Sequence, residues 1–387
     1  MRRHRKLVAW TTGSLAALLV GVMLAGYGML RHFNGNITQA NIRGLLGRQP
    51  ADLHPRAENI LVLGSDTRLG LPGVTAASRA TDQSDTMMLV HIPASRRWAE
   101  VMSIPRDSWV SIPSCMMGDG KMSSPTRFKI NEAYAIGNLY GNHTALGAAC
   151  TVKTIEQDTG IYVDHFIVVS FTGFKNMVAA LGGVEECNPA ALTNPHSGIV
   201  LSAGYHWLTP DQALAYVRAR QDIGDGSDLE RIVRQQALMS ALTTRAKSKL
   251  LDPVAIYRFL DAATSSMAID SQLGGVTGLY GLEQSLRGIP SSRVALFTLP
   301  TFPRADVVPA DTSNVLWTQP EDGEIFASFR DDVPASASLF PPEGTQPTAA
   351  LERPGKFGVP PSTSPGQAGG TPAHLRGRTA SQSICVS

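Results

Sequence analysis

The sequence carries almost no net charge, because 34 lysines and arginines are balanced by 32 aspartates and glutamates, which leaves +2. Proteins that bind nucleic acid through a broad surface show a clear basic excess, so nucleic acid is not an expected partner. The chain also lacks a GxxxxGKS/T phosphate loop, which argues against a nucleotide as phosphate donor. No Ser/His/Asp or Cys/His arrangement stands out as a candidate nucleophile.

Cysteine is scarce, with only Cys115, Cys150, Cys187 and Cys385 in the chain. No CxxC pair or Cys/His spacing is present, which argues against a zinc site. An even number of cysteines permits two disulfides in an oxidising compartment, with three connectivities. We favour Cys115–Cys150 and Cys187–Cys385, with free buried thiols as the alternative.

One long uncharged run is present, from Leu7 to Leu30, and it follows the basic residues 1–6, MRRHRK. As a helix it would be roughly 36 Å long, enough to cross a ~30 Å hydrocarbon core with some tilt. The basic leader predicts a cytoplasmic N-terminus and a single-pass anchor in the cell membrane, with the body of the protein extracellular. A cleaved signal peptide is the alternative. A DNA-binding regulator is disfavoured, since only the short leader would remain in the cytoplasm.

The domain boundaries follow from these composition changes. We expect a cytoplasmic leader over 1–6, a transmembrane helix over 7–30 and a juxtamembrane stalk over 31–57. The main folded domain is expected over 58–331, and the Pro/Ser/Gly-rich residues 332–387 are typical of a linker or tail. That tail ends with a cysteine, which allows it to be tied back to the body.

Acidic and basic residues lie near the ends of three predicted strands. Asp66 and Arg68 follow the apolar strand in ENILVLGSDTR (58–68), and Asp85 leads the strand SDTMMLVHI (84–92). Arg106 follows the strand in AEVMSIPRDSWV (99–110). Ligands of open α/β sheets bind at the carboxyl ends of strands, where Asp66 and Arg68 are expected. Three strands that each have an Asp or Arg near a terminus favour a site.

A second set of charged residues lies in YVRARQDIGDGSDLERIVRQQ, residues 216–236. Arg218 and Arg220 share one side of an extended backbone, and from Asp228 the pattern is helical. Two arginines held ~4 Å apart repel by about 4 kcal/mol at an effective dielectric near 20, unless an anion lies between them. Guanidinium groups match phosphate oxygens, so a phosphate or pyrophosphate ligand is favoured over an ordinary solvated helix face. The candidate residues of this stretch are Arg218, Arg220, Asp228, Arg231, Arg234 and Gln235.

Six short motifs, in order, resemble the LytR-CpsA-Psr family: GSDTR, SDTMML, SIPRD, KINEAYA, YVRAR and DLERIVRQQ. The resemblance covers roughly 58–245, and the segments around the cysteines resemble the actinobacterial branch. It implies an α/β/α sandwich with a mixed central sheet. It further implies a phosphotransferase that moves a glycopolymer phosphate, such as teichoic acid or arabinogalactan, from a polyprenyl-pyrophosphate carrier to peptidoglycan. A polyprenyl-pyrophosphate phosphatase and a non-catalytic lipid-binding regulator or scaffold are the alternatives.

The resemblance also assigns roles to the candidate residues. Asp66 and Asp85 would hold Mg²⁺, Asp66 is our candidate base, and Asp228 would orient the arginines. Catalytic roles are expected for Asp66, Asp85 and Arg106. One position departs from the family, since Gln83 stands where an arginine usually precedes the SDT motif. The pyrophosphate would be bound by Arg68, Arg106, Arg218, Arg220, Arg231, Arg234 and Gln235.

Overall fold

The computed structural model describes residues 2–65, 83–140, 143–194, 198–219, 228–249, 251–336, 377–380 and 385, with backbone only for 2–13, 15–16 and 228–230. The strands are β1 Thr38–Ala40, β2 Glu58–Ser65, β3 Ser84–Ile92, β4 Ala99–Ser103, β5 Trp109–Ile112, β6 Thr126–Lys129, β7 His165–Ser170, β8 Val184–Asn188, β9 Leu192–Asn194, β10 Ile199–Leu201, β11 Gly204–Leu208, β12 Met267–Asp270, β13 Val294–Thr298, β14 Thr301–Pro303, β15 Val315–Trp317 and β16 Gly377–Thr379. The helices are α1 Arg2–Asn36, α2 Arg43–Leu46, α3 Asn131–Asn138, α4 Thr144–Thr159, α5 Phe171–Ala180, α6 Pro210–Arg218, α7 Asp228–Ser248, α8 Pro253–Thr264, α9 Gly275–Leu286 and α10 Glu321–Arg330.

The central sheet is mixed and has the strand order β1-β12-β7-β2-β3-β4-β13-β16. β2 pairs parallel with β7 and antiparallel with β3, while β4 pairs antiparallel with β3 and parallel with β13. The strands β2, β4, β7 and β13 therefore all end at the same edge of the sheet. This confirms the expected α/β fold with a mixed central sheet.

Helices cover both faces of this sheet. Alternate residues of a strand point to opposite faces, so Leu61 and Ile60 of β2 belong to different buried clusters. The first cluster packs against α3, α4 and α10, and the second packs against α9. A third cluster joins α5, α6 and α7 with the small strands β8–β10. Helices thus pack on both faces of the sheet, which is the sandwich expected from the family resemblance.

The N-terminal region begins with α1, a continuous helix of 35 residues. Within the part of the chain whose side chains are described, no helix combines the length and hydropathy needed to cross a membrane. Within 31–57, the segment expected as a juxtamembrane stalk, part of the chain packs against the domain. β1 joins the sheet beside β12, and Ile42 and Leu46 are buried in the first cluster.

The C-terminal tail returns to the body of the protein. β16 pairs antiparallel with β13 and forms the last strand of the central sheet. The buried Ser336 donates its backbone N–H to Glu100 Oε1 at 2.8 Å, which fixes the start of the tail. All four cysteines are paired, and both favoured disulfides, Cys115–Cys150 and Cys187–Cys385, are confirmed.

Candidate functional site

The predicted site residues meet at the sheet edge where β2, β4 and β7 end. Ser65, the last residue of β2, is opposite Ser84, the first residue of β3, so Asp85 lies at this edge. Arg106 lies three residues after the end of β4, and Phe171 directly follows β7. The antiparallel pairing of β3 explains the convergence, because its first residues lie beside the last residues of its two neighbours.

A cavity of about 160 Å³ opens at this edge. β3 and the segment after β4 supply one side of its wall, and α5, α6 and α7 supply the rest. Its lining residues are Asp85, Thr86, Arg106, Phe171, Val217, Arg218, Arg231 and Gln235. The cavity thus brings together five of the predicted site residues that were far apart in the sequence.

Asp85 and Arg106 form an ion pair, in which Arg106 Nη1 donates to Asp85 Oδ1. Each of the two side chains is 17% exposed, so the pair is shielded from solvent but reachable from the cavity. The Nε of Arg106 lies 3.7 Å from the carboxylate of Asp107, which in turn accepts from Lys129 Nζ at 3.0 Å. These contacts hold the guanidinium of Arg106 at the cavity wall.

Arg231 comes from the first turns of α7 and is only 3% exposed. Its Nη2 donates to the backbone oxygen of Asp85 at 3.4 Å, which joins α7 to the start of β3. Gln236, also buried, donates through Nε2 to Ser103 Oγ at 3.0 Å and joins the same helix to the end of β4. The two contacts place the N-terminal part of α7 over the sheet edge.

Arg218 is the last residue of α6, not part of an extended segment as the sequence spacing suggested. The chain becomes extended only at Ala219. The guanidinium of Arg218 lies 5.0 Å from the centre of the Phe171 ring. A cation over an aromatic face is attracted by the ring quadrupole, so the Phe171 ring helps to hold this guanidinium at the cavity wall.

Arg234 and Gln235 of α7 bond to the backbone at the end of α6. Arg234 Nη2 donates to Ala219 O at 2.6 Å, and Gln235 Nε2 donates to Val217 O at 3.2 Å. Carbonyls in the last turn of a helix have no partner within the helix, so these bonds satisfy groups that burial would otherwise leave unpaired. Gln235 lines the cavity, whereas Arg234 does not.

Charge at the cavity wall favours an anionic ligand. The guanidinium groups of Arg106, Arg218 and Arg231 outnumber the one carboxylate, Asp85, among the lining residues that the structure describes. Their fork-shaped N–H donors suit the oxygens of a phosphate or pyrophosphate. Binding of such a group would offset the mutual repulsion of the arginines.

A family model, described as the LytR_cpsA_psr family, matches residues 34–321. The chain belongs to the LytR-CpsA-Psr family. It is 30% identical over 282 residues to the "Probable cell wall biosynthesis protein LcpB" of Corynebacterium glutamicum, a match that covers 70% of this chain and 61% of that protein. The chain thus spans less than two thirds of this relative's length.

Two further likenesses extend the comparison. The chain is 28% identical over 308 residues to "Polyisoprenyl-teichoic acid--peptidoglycan teichoic acid transferase TagT" of Bacillus subtilis, covering 75% of this chain and 86% of TagT. The solved "LytR-Csp2A-Psr enzyme from Actinomyces oris" superposes with a TM-score of 0.55 at 22% identity, over 76% of this chain and 95% of that one. At this identity, the structural likeness shows that the fold is shared.

Gln83, the residue that departs from the LytR-CpsA-Psr pattern, is bonded to the start of α3. Its Nε2 donates to Glu132 Oε1, and its Oε1 accepts from Asn131 Nδ2 at 3.0 Å. Burial raises the pKa of the Glu132 carboxyl. The backbone N–H of Asn131 also donates to Arg106 O at 3.3 Å. The start of α3 is thus bonded both to Arg106 and to Gln83, which lies two residues before Asp85.

Four predicted residues of the LytR-CpsA-Psr site have side chains that the structure does not describe. Asp66, Arg68 and Arg220 lie outside the described residues. Asp228 begins α7, but its side chain is outside the description. Their assigned roles stay predictions, although Asp66 directly follows the last residue of β2.

Magnesium was expected at Asp66 and Asp85. No group of three or more His, Cys, Asp or Glu side chains is arranged around a metal site in the described part of the chain. Magnesium sites often combine one or two protein carboxylates with phosphate oxygens of the substrate. The carboxylate of Asp85, at the wall of a cavity that three guanidinium groups also line, fits such a site.

Sequence reasoning missed some residues of the cavity wall, namely Thr86, Phe171 and Val217. Phe171 is the most informative of these, because its ring supports Arg218. The available signal was its position directly after β7, at the edge already marked by Asp85 and Arg106. No sequence spacing relates Phe171 to Arg218, since the two meet only when α5 and α6 pack together.

Proposed function

We propose that the protein is a membrane-anchored phosphotransferase that moves a glycopolymer phosphate from a polyprenyl-pyrophosphate carrier to peptidoglycan. The observation that carries the proposal is the meeting of Arg106, Arg218 and Arg231 with Asp85 around one cavity. The relative TagT, whose name states a polyisoprenyl-linked donor and a peptidoglycan acceptor, supports this choice of substrates.

The arginines would bind the pyrophosphate oxygens of the carrier. An oxygen of a peptidoglycan hydroxyl would attack the phosphorus that carries the glycopolymer. The bond from that phosphorus to the bridging oxygen would break, and polyprenyl phosphate would leave. Phosphoryl transfer depends mainly on positioning and on neutralising charge, both of which fixed guanidinium groups provide.

A base is needed to take the proton of the incoming hydroxyl group. Asp66, which follows the last residue of β2, is our candidate. Asp85 would hold a magnesium ion together with Asp66, and that ion would neutralise charge on the transferred phosphate. The ion pair between Asp85 and Arg106 would hold these two side chains in position before the substrate binds.

We further propose that residues 7–30 form a membrane anchor with a cytoplasmic N-terminus and an extracellular domain. The basic leader and the uncharged run support this location. A lipid-linked donor and a peptidoglycan acceptor both lie on the outer side of the membrane, so the location is consistent with the proposed reaction.

The test is a transfer assay with the full-length protein, purified peptidoglycan, and lipid-linked teichoic acid or arabinogalactan as donors. Arg106→Ala and Arg218→Ala should each reduce transfer about 100-fold or more, since each removes a preorganised donor. Arg287→Ala, which changes an exposed arginine directly after α9, is the matched control and should leave transfer unchanged.

Three outcomes distinguish the candidate functions. Glycopolymer joined to peptidoglycan supports the transferase. Release of glycopolymer phosphate into water, without a product joined to peptidoglycan, would contradict the transferase and identify a phosphatase. Binding of the carrier lipid without either reaction would contradict both enzymes and identify a non-catalytic scaffold.

Magnesium has its own test in the same assay. EDTA should abolish transfer and added Mg²⁺ should restore it, because the metal would complete the site at Asp85. Asp85→Ala should raise the Mg²⁺ concentration required for half-maximal transfer. Full activity in EDTA would contradict the metal assignment and leave the arginine assignment in place.

A further inference from the structure

The helix α1 enters the domain at the same sheet edge as the cavity. β1 follows α1 and runs parallel to β12, with Thr38 opposite Ala268. β12 runs antiparallel to β7, with Met267 opposite Val169. The start of β1 therefore lies at the edge where β7 ends, and β7 is followed directly by Phe171 of the cavity wall.

The last turns of α1 are fastened to α8. Asn36 Nδ2 lies 3.3 Å from Thr264 Oγ1, and His32 Nε2 lies 2.7 Å from Asp261 Oδ1. The ring of Phe33 lies 5.4 Å from the ring of Tyr257. Earlier residues of α1 thus meet earlier residues of α8, so the two helices run side by side in the same direction.

The start of α8 consequently points along α1 towards its N-terminal part. Leu251 precedes α8 by two residues and is 99% exposed, and Val254 in its first turn is 58% exposed. Lys247, at the end of α7, is exposed as well, and Lys249 is half-buried. We call Lys247, Lys249, Leu251, Val254 and Tyr257 the α8 tip.

We propose that the α8 tip docks on the surface of an anionic lipid bilayer and holds the cavity edge against it. The proposal rests on the membrane anchoring proposed above. Apolar side chains next to lysines are the composition of interfacial membrane-binding segments. The nearby carboxylate of Asp252 accepts from the backbone N–H of Ala255 at 3.0 Å, so it caps α8.

Continuity with α1 identifies the occupant as lipid. Exposed apolar side chains of α1, such as Met29 and Leu30, lie within one turn of the residues fastened to α8. A bilayer that surrounds the uncharged run of α1 would reach the start of α8 on the same side. The docking would place the arginine cavity at the depth where the pyrophosphate of a membrane-borne carrier lies.

The test uses single cysteines labelled with an environment-sensitive fluorophore in the full-length protein. All four native cysteines are disulfide-bonded, so an added thiol is labelled selectively. Leu251→Cys reports on the α8 tip, and Leu24→Cys reports on α1. Leu53→Cys is the matched control, because Leu53 is 58% exposed and precedes β2 at the opposite edge, roughly 26 Å away along an eight-residue strand.

The labelled proteins are placed in phosphatidylcholine vesicles that contain phosphatidylglycerol, with brominated acyl chains as quencher. We expect a blue-shifted, severalfold more strongly quenched label at position 251 than at position 53. Quenching at position 24 without quenching at position 251 would overturn the docking proposal alone. No quenching at position 24 would overturn the membrane anchor, and the docking proposal with it.

A charge-reversed variant tests the lipid partner. Lys247→Glu with Lys249→Glu should reduce quenching at position 251 in the anionic vesicles and leave quenching at position 24 unchanged. When both lysines are kept, vesicles of pure phosphatidylcholine should likewise reduce quenching at position 251 and leave quenching at position 24 unchanged. Shielding of position 251 that depends on protein concentration in detergent, without lipid quenching, would instead identify a second copy of the chain and overturn the proposal.

Discussion

At the scale of single residues, Asp322 illustrates how burial controls a charge. It lies in the first turn of α10 and is fully buried, and neither of its carboxylate oxygens makes a hydrogen bond to a described residue. Burial raises the pKa of this carboxyl to about 8 from its ordinary value of 3.8. The folded protein therefore binds the proton of Asp322 more tightly than the unfolded chain does.

This shift predicts a pH-dependent effect of Asp322→Asn. The contribution of Asp322 to stability is fully present below pH 3.8 and is lost as the pH rises towards about 8. The variant, which cannot ionise, should unfold near the wild-type temperature at pH 4 and above it at pH 8. Thermal unfolding across this range checks the difference.

Asp306→Asn, which changes an exposed carboxyl group, is the control for Asp322 and should follow the wild-type profile throughout. A constant difference between Asp322→Asn and wild type at every pH would contradict the protonation argument.

The residues of the site show that similar burial serves different purposes. Arg231 and Arg234 are 3% and 5% exposed and are one turn apart on α7. Arg231 lines the cavity and contacts Asp85, whereas Arg234 holds the carbonyl of Ala219. The first position is suited to a ligand and the second to fixing the backbone that carries Arg218.

At the scale of elements, the packing of α7 against the end of α6 positions the arginine wall. α6 begins with a capping box, in which Thr209 accepts from the N–H of Gln212 and Gln212 accepts from the N–H of Thr209. Its other end depends on side chains of α7, namely Arg234 and Gln235. The backbone at the C-terminal end of α6 is therefore held in place by side chains of α7.

Arg234→Ala tests this support. Loss of the guanidinium leaves a buried carbonyl unpaired, so the free energy of unfolding should fall by about 1–3 kcal/mol. Arg218→Ala should cost less than about 1 kcal/mol, because it removes an exposed cation–π contact. Urea unfolding of both variants gives the comparison, and equal losses would show that Arg234 does not support α6.

At the scale of the whole molecule, segments distant in the sequence close the domain. β1 and β16 form the two outer strands of the central sheet, and they come from opposite ends of the chain. Cys187 is bonded to Cys385 across a separation of 198 residues. Residues 38–40 and 377–379 are thus both fixed on the sheet that carries the cavity.

The long disulfide should contribute more to stability than the short one. Chain-entropy arguments give about 5 kcal/mol for the 198-residue separation and about 4 kcal/mol for the 35-residue separation of Cys115–Cys150. The double variants Cys187→Ser/Cys385→Ser and Cys115→Ser/Cys150→Ser can be compared by denaturant unfolding. An unchanged midpoint for the first variant would show that the tail adds nothing to the stability of the body.

Local pattern and motif order are enough to predict the family, the main strands and five of the residues that line the cavity. Apolar runs predict β2, β3 and β4, and the charged residues near the ends of these strands mark Asp85 and Arg106 as site candidates. These features depend on short-range pattern and on motif order, both of which are written directly in the chain. That Asp85 and Arg106 lie at one edge depends on the antiparallel orientation of β3.

The remaining features of the site and the sheet depend on tertiary packing. It placed Phe171 beneath Arg218, gave Arg234 a backbone partner in place of a position at the cavity wall, and made edge strands of 38–40 and 377–379. Short strands such as these have little propensity of their own and form because a neighbouring edge offers hydrogen bonds. Pairing across hundreds of residues depends on the packing of the whole chain, which local periodicity does not encode.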